Sequence, residues 1–198
     1  MKPSRLTLSI LALPITLAAQ QPQPPANLAS SPIMTVMWAR TMGYQRNLAQ
    51  AFDSIPESKY SFKPTPVQQS IGYVAQHLAS DNYLFCNGFG AAKGTPAAAD
   101  TTTADTVKAT WPKEQLVTKL KASFAFCEEA LKQLDDTKLS EMTPFSFRGP
   151  PRQIPRVTLV LGHITDMAEH YSQIAAYMRL NNMLPPTALP RPPRPSSD

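Results

Sequence analysis

VTLVLGHITDMAEHYSQIAAYMRL, residues Val157 to Leu180, decides how the rest of the chain is read. At about 100° per residue, helix positions i, i+3 and i+7 fall within about 60° of one another, so His163, Asp166 and His170 share a face. Ile164, Met167, Tyr171, Ile174, Ala175 and Met178 cover the neighbouring arc, which puts the two imidazoles and the carboxylate where a buried surface meets a cleft. Imidazole nitrogen and carboxylate oxygen bind divalent transition ions at about 2 Å, and a helix offers two such groups from successive turns without closing a loop. The plainer alternative is a histidine that serves the core or the surface, and this pattern alone does not separate the two.

The preceding segments share the helical period. SIGYVAQHLASDNYLFC, Ser70 to Cys86, aligns Ile71, Val74, Ala75, Leu78 and Phe85 on one arc, with Ser70 as the N-cap and His77 beside the stripe. Asp81 follows His77 by four residues: either an outer partner for a metal-bound imidazole or, the favoured reading, an exposed polar pair. Ile33 to Phe52 (Met34, Trp38, Met42, Ala49, Phe52) and Lys113 to Leu134 (Leu116, Leu120, Cys127, Leu131, Leu134) supply two more stripes. The connections between them are rich in Pro, Gly, Ser and Thr. Gly88 to Pro112 reads as an active-site rim or an unstructured excursion, and 136–155 is long enough to carry the chain across the end of a bundle. TPFSF is extended in character but has no alternating partner, so no convincing strand is expected. The fold class is all-α: a four-helix bundle with long connections.

Lys2 and Arg5 precede a short apolar run from Leu6 to Leu17, then Ala18, Ala19 and QQPQPP. This is the pattern of a secretory signal peptide over 1–19, too short and too interrupted by Pro14 to span a bilayer. A linker over 20–32, the bundle domain over 33–187 and a Pro-rich tail over 188–198 follow. The expected location is periplasmic or secreted, with no membrane association after cleavage. Removing Lys2 and Arg5 takes 19 basic residues to 17 against 14 acidic ones, and the net charge from +5 to +3. No basic run interleaved with aromatics points to nucleic acid. Cys86 and Cys127 form a disulfide in an oxidising compartment or stand as two buried thiols, and the sequence favours neither.

IGYVAQHLASDNYLFC and DMAEHYSQIAAYMRLNNMLPP, in this order and spacing, resemble the DinB-like superfamily of four-helix-bundle metalloenzymes, over roughly residues 33 to 187. The resemblance implies a divalent metal held by a histidine in the second helix and a HxxxH pair in the last. His77 and His170 match; Asp166 stands where the pair has its first histidine, and Ser172 replaces a glycine while Gln173 is retained. The expected ligand set is therefore His77, Asp166 and His170, with His163 as the alternative third ligand. Zinc is favoured, and nickel, iron and manganese are also compatible with two imidazoles and a carboxylate. The resemblance further implies a metal-dependent enzyme acting on a small molecule, a hydrolase or a thiol-transferase-like catalyst. The alternative is a non-catalytic helical binding module with a degenerate metal site. No GxSxG or cysteine nucleophile signature supports a serine or cysteine hydrolase. Apolar side chains on the first helix, Met37, Trp38 and Tyr44, make a homodimer a weak expectation.

Overall fold

The computed structural model describes residues 23–28, 30–147 and 149–190; the expected leader and positions 191–198 of the tail lie outside the described residues. Four long helices form the body: α1 (Pro32–Ser54), α2 (Ile71–Cys86), α5 (Lys113–Leu131) and α6 (Arg156–Leu180). Two short helices, α3 (Ala98–Thr102) and α4 (Asp105–Lys108), lie between α2 and α5. An antiparallel hairpin of β1 (Met142–Phe145) and β2 (Arg152–Pro155) leads into α6.

Proline sets three of the four starts, at position N1 of α1 and immediately before α5 and α6, where its fixed φ suits a helix entrance. α2 starts instead on Ser70, whose hydroxyl accepts from the Tyr73 amide at 3.1 Å. The exposed amides of α1 find a distant cap: the Asp136 carboxylate accepts from Ile33 and Met34 at 3.1 and 2.8 Å. α6 ends as Asn182 enters the left-handed region at φ 58°, which lets the Met183 amide reach the Met178 carbonyl at 2.9 Å.

Around the bundle the order is α1, α6, α2, α5. Lys113, at the start of α5, reaches the carbonyls of Asp53 and Ile55 at the end of α1, whereas Asp136, just past α5, caps the start of α1. α1 and α5 are thus antiparallel. The Cys86–Cys127 disulfide joins the last residue of α2 to the final turn or so of α5, so α2 and α5 are parallel neighbours. A link between parallel neighbours must return the full length of the bundle, which is the task of residues 87–112.

Two sequence expectations are corrected here, the unstructured alternative for Gly88–Pro112 and the absence of a partner for TPFSF. The Gly88–Pro112 excursion carries helix at α3 and α4, with Lys108 buried and bonded to the Asp100 carbonyl at 3.0 Å and to Asp105 at 2.8 Å. The extended TPFSF piece does have a partner, RQIP, in the register Thr143↔Ile154 and Pro144↔Gln153. Within the expected linker, Ala26–Leu28 forms a 3-10 turn and Leu28 is fully buried. Met37 and Trp38 are likewise buried within the chain, and Tyr44 packs against the core.

The core has two parts, one around Leu48, Phe52, Leu78, Leu120 and Met167, the other around Trp38, Phe89, Leu131 and Val160. Between them, polar side chains come from all four helices: Thr41 and Gln45, Asn82, Ser123 and His163. Asn82 donates to Ser123 at 2.8 Å, and Ser123 donates to the Leu120 carbonyl at 2.7 Å. Buried polar groups left unpaired cost about 1–3 kcal/mol each, so the bonded Asn82, Ser123 and His163 favour one alignment of the helices over slipped ones, while Thr41 Oγ1 and His163 Nδ1 in the same layer have no partner.

Candidate metal centre

His77 lies midway along α2, on the side facing α6, and Asp166 and His170 lie one turn apart on α6. One donor atom from each of the three lies within 4.8 Å of the other two. The His77 and His170 rings meet edge to face with centroids 5.0 Å apart. The His170 Nε2 is 3.5 Å from Asp166 Oδ1, while the other oxygen, Oδ2, is buried without a hydrogen-bond partner. A buried carboxylate oxygen with no donor is costly unless a cation or water meets it. Two imidazoles and a carboxylate with one unmet oxygen are what a divalent cation would satisfy, so this donor set fits the metal implied by the resemblance.

The tautomer of His170 follows from its neighbours. Tyr177 donates to the Gln69 carbonyl at 3.1 Å and accepts from Gln173 Nε2 at 2.9 Å, which turns Gln173 Oε1 toward His170 Nδ1 at 3.1 Å. An amide oxygen only accepts, so Nδ1 carries the proton and the Nε2 lone pair faces the cluster. This outer bonding, typical around metal-bound histidines, comes from α6 itself through i, i+3 and i, i+4 spacing.

Asp81 is the member that sequence reasoning misplaced. It is 8 % exposed rather than a solvated pair, with its Oδ2 3.3 Å from His77 Nε2. Burial and the Asp166 charge push its carboxyl up to about 7. Burial and the neighbouring His170 pull His77 below the usual imidazole range. Burial is the largest influence on His170 and works against its charged form, yet the hydrogen bond and charge of Asp166, with Gln173 and the Asp81 charge, together outweigh it and leave its pKa raised. The signal for Asp81 was present in the i, i+4 spacing; its burial depends on α6 and was not.

His163, the alternative third ligand, does not join the three. It is fully buried in the polar layer, its Nε2 2.8 Å from Asn82 Oδ1 and 3.8 Å from Cys86 Sγ. Sharing a helical face with His170 does not bring it level with His77. Seven residues of α6 amount to about 10 Å along the axis. Because α2 runs antiparallel to α6, that advance matches a retreat along α2 from Asn82 to His77. Cys86, Cys127 and His163 form a second convergence of donor groups, but the two sulfurs are joined as a disulfide.

No functionally characterised protein in a curated collection matches the chain. Solved structures match its fold. A DinB-like protein from Bacillus cereus superposes with a TM-score of 0.57 at 18% identity, over 72% of this chain and 89% of that one. A DinB-like protein from Bacillus subtilis does so with a TM-score of 0.56 at 18% identity, over 79% and 96%. The mycothiol-dependent maleylpyruvate isomerase matches with a TM-score of 0.55 at 10% identity, over 73% of this chain and 65% of its own. The sequence profile of the DinB superfamily matches residues 43–174, more than half of the chain, and takes in both His77 on α2 and the Asp166–His170 pair on α6; this chain belongs to the DinB superfamily.

Proposed function

We propose that the chain is an exported metal-dependent enzyme, a hydrolase or thiol-transferase-like catalyst, with His77, Asp166 and His170 as the ligands of a divalent metal, zinc by preference. The observation that carries this reading is the convergence of three donors from two helices, one of them a carboxylate with a buried oxygen that no protein group satisfies. Bound there, such an ion supplies a Lewis acid that lowers the pKa of a water or thiol and stabilises developing negative charge. The chain's own residues orient the donors: Asp81 holds the His77 ring from within α2, and Gln173 with Tyr177 fixes the His170 tautomer. Fold likeness to an isomerase that depends on mycothiol makes a thiol one nucleophile to consider. Export favours water, because low-molecular-weight thiols of that kind are chiefly cytoplasmic. The export reading is supported by the leader pattern and by the Cys86–Cys127 disulfide, since such bonds persist in oxidising compartments.

Metal analysis of the purified mature protein tests the proposal. It predicts close to one equivalent of divalent metal, lost in His170→Ala with helix content by circular dichroism unchanged. Protein that carries no Zn, Ni, Fe or Mn and takes none up when offered would rule it out and favour the non-catalytic binding module. His170→Ala protein that unfolds without ever having held metal would mark His170 as a core histidine.

A further inference from the structure

A groove runs between α1 and α6 on the side of α6 that faces away from the metal centre. Ala168 and Ser172 line it, and at about 100° per residue Asp166 and His170 stand half a turn or more round the helix from them. On α1, Ala39, Gly43 and Asn47 recur at four-residue spacing along one arc, and a Cβ at residue 43 would meet nothing within 4 Å. The small side chains of Ala39, Gly43 and Ala168 leave this part of the α1–α6 seam unfilled. The space is about 470 Å³, within the usual range of small-molecule sites, and the exposed Ala39, Arg40 and Ser172 mark its open side.

Arg46 and Arg40 flank that arc on its two sides. No aspartate or glutamate lines the groove, and neither guanidinium has an acidic or hydrogen-bonding partner among the described residues. By contrast, Lys119, Lys121 and Arg156 each hold a carboxylate, and Lys113 holds two carbonyls. The free groups are also within reach of a ligand. Arg40 is exposed, and Arg46, though half-buried, has no nitrogen sealed from solvent; the same holds for the amide of Asn47 and the hydroxyl of Tyr44 beside them. Six residues separate the two arginines, about 9 Å along the helix axis, a distance that two long side chains can close over a compact group. The guanidinium fork matches the paired oxygens of a phosphate or carboxylate. Two forks with a further amide and hydroxyl, and no acid among them, select a ligand with two or more negative charges and many acceptor oxygens.

We propose that the α1–α6 groove is a second small-molecule site, which binds a phosphate or diphosphate group between Arg46 and Arg40. The site is independent of the metal centre, and its test does not require metal. Pyrophosphate and acetate serve as probes, titrated into the full protein at low ionic strength and followed by shifts of backbone amide resonances. Pyrophosphate is expected to saturate with shifts centred on Gly43, Asn47 and Ser172, to bind at least about tenfold more tightly than acetate, and to bind His170→Ala as it binds wild type. Arg46→Gln is expected to weaken it about tenfold with helix content unchanged. Arg152→Gln, which removes the same charge from the exposed start of β2, should leave the affinity as it was. Gly43→Leu fills the groove from its floor, where the added side chain meets open space, and should block pyrophosphate without loss of helix content. The proposal fails if wild-type protein shows no saturable response to pyrophosphate, or if Arg152→Gln weakens binding as much as Arg46→Gln, which would mark a diffuse charge effect. Shifts centred on His77 and His170 and lost in His170→Ala would place the anion at the metal centre instead. Binding to vesicles containing phosphatidic acid, with no response to pyrophosphate, would likewise overturn it in favour of a lipid surface.

Discussion

His163 and His170 lie two turns apart on the same helix and are held in opposite protonation preferences by what stands beside them. His170 shares a largely buried cluster with Asp166 and has its pKa raised, whereas complete burial drives His163 down from 6.5 to about 4. His163 is therefore neutral in the fold and protonated in the unfolded chain between those two values. In that window the unfolded state binds more protons, so stability rises with pH from about 4 to 6.5 and is lost as pH falls. Asp81, with its carboxyl raised to about 7, contributes the opposite slope. A difference between variants isolates the histidine. The stability of wild type minus that of His163→Gln should grow by on the order of 3 kcal/mol between pH 4 and pH 6.5, read from urea unfolding at each pH. Parallel curves would show that His163 is not the buried neutral group described. Helical periodicity placed His163, Asp166 and His170 on one face correctly. Their level along the bundle depends on the direction of α2, a property of the tertiary fold that no single helix records.

At the scale of elements, the four long helices were legible because each has an apolar stripe of the right period and a proline or serine at its start. α3 and α4 were not, because they are too short to show a period and are stabilised by what they cover. Gly72 makes that covering visible. In the first turn of α2 a Cβ on residue 72 would run into the Ala109 carbonyl oxygen and crowd that of Tyr60. The Gly72 amide donates to the Tyr60 carbonyl at 2.8 Å. Alanine in a helix is ordinarily better than glycine by about 1 kcal/mol, so propensity alone predicts that Gly72→Ala stabilises. The contact predicts the reverse, since both obstructing atoms are backbone and neither can swing aside. A net loss of about 1–3 kcal/mol in chemical denaturation is expected, with the segment around Ala109 displaced. An unchanged or raised midpoint would mean that the excursion does not sit against α2. The hairpin escaped detection for a related reason: RQIP alternates too briefly to register alone, and its pairing with TPF depends on the turn at Gly149, where φ is 90°.

Across the whole molecule, the parallel pair of α2 and α5 is the costly feature of the topology. The chain must leave the end of α2, return along the bundle and run the same way again, and the residues that do so carry little apolar surface. The Cys86–Cys127 disulfide closes this loop at the far end, with a sequence separation of 41. Its effect falls chiefly on the unfolded chain, which loses the freedom to separate the two helices; for a loop of this length the chain-entropy treatment gives about 4 kcal/mol. Replacing both cysteines by alanine should lower the urea midpoint by an amount corresponding to about 2–4 kcal/mol while far-ultraviolet circular dichroism of the native protein stays the same. Wild-type protein unfolded in the presence of a strong dithiol should fall to the same midpoint, because the bond, buried in the fold, becomes reducible on unfolding and its loss removes the same constraint. If wild type and the double variant unfold together in oxidising buffer, the bond contributes nothing and the return of the chain from α2 to α5 is held by packing alone. In that case the Asp136 cap at one end of the bundle and the buried Asn82–Ser123–His163 layer between the two parts of its core are the contacts that keep α5 in register with its neighbours.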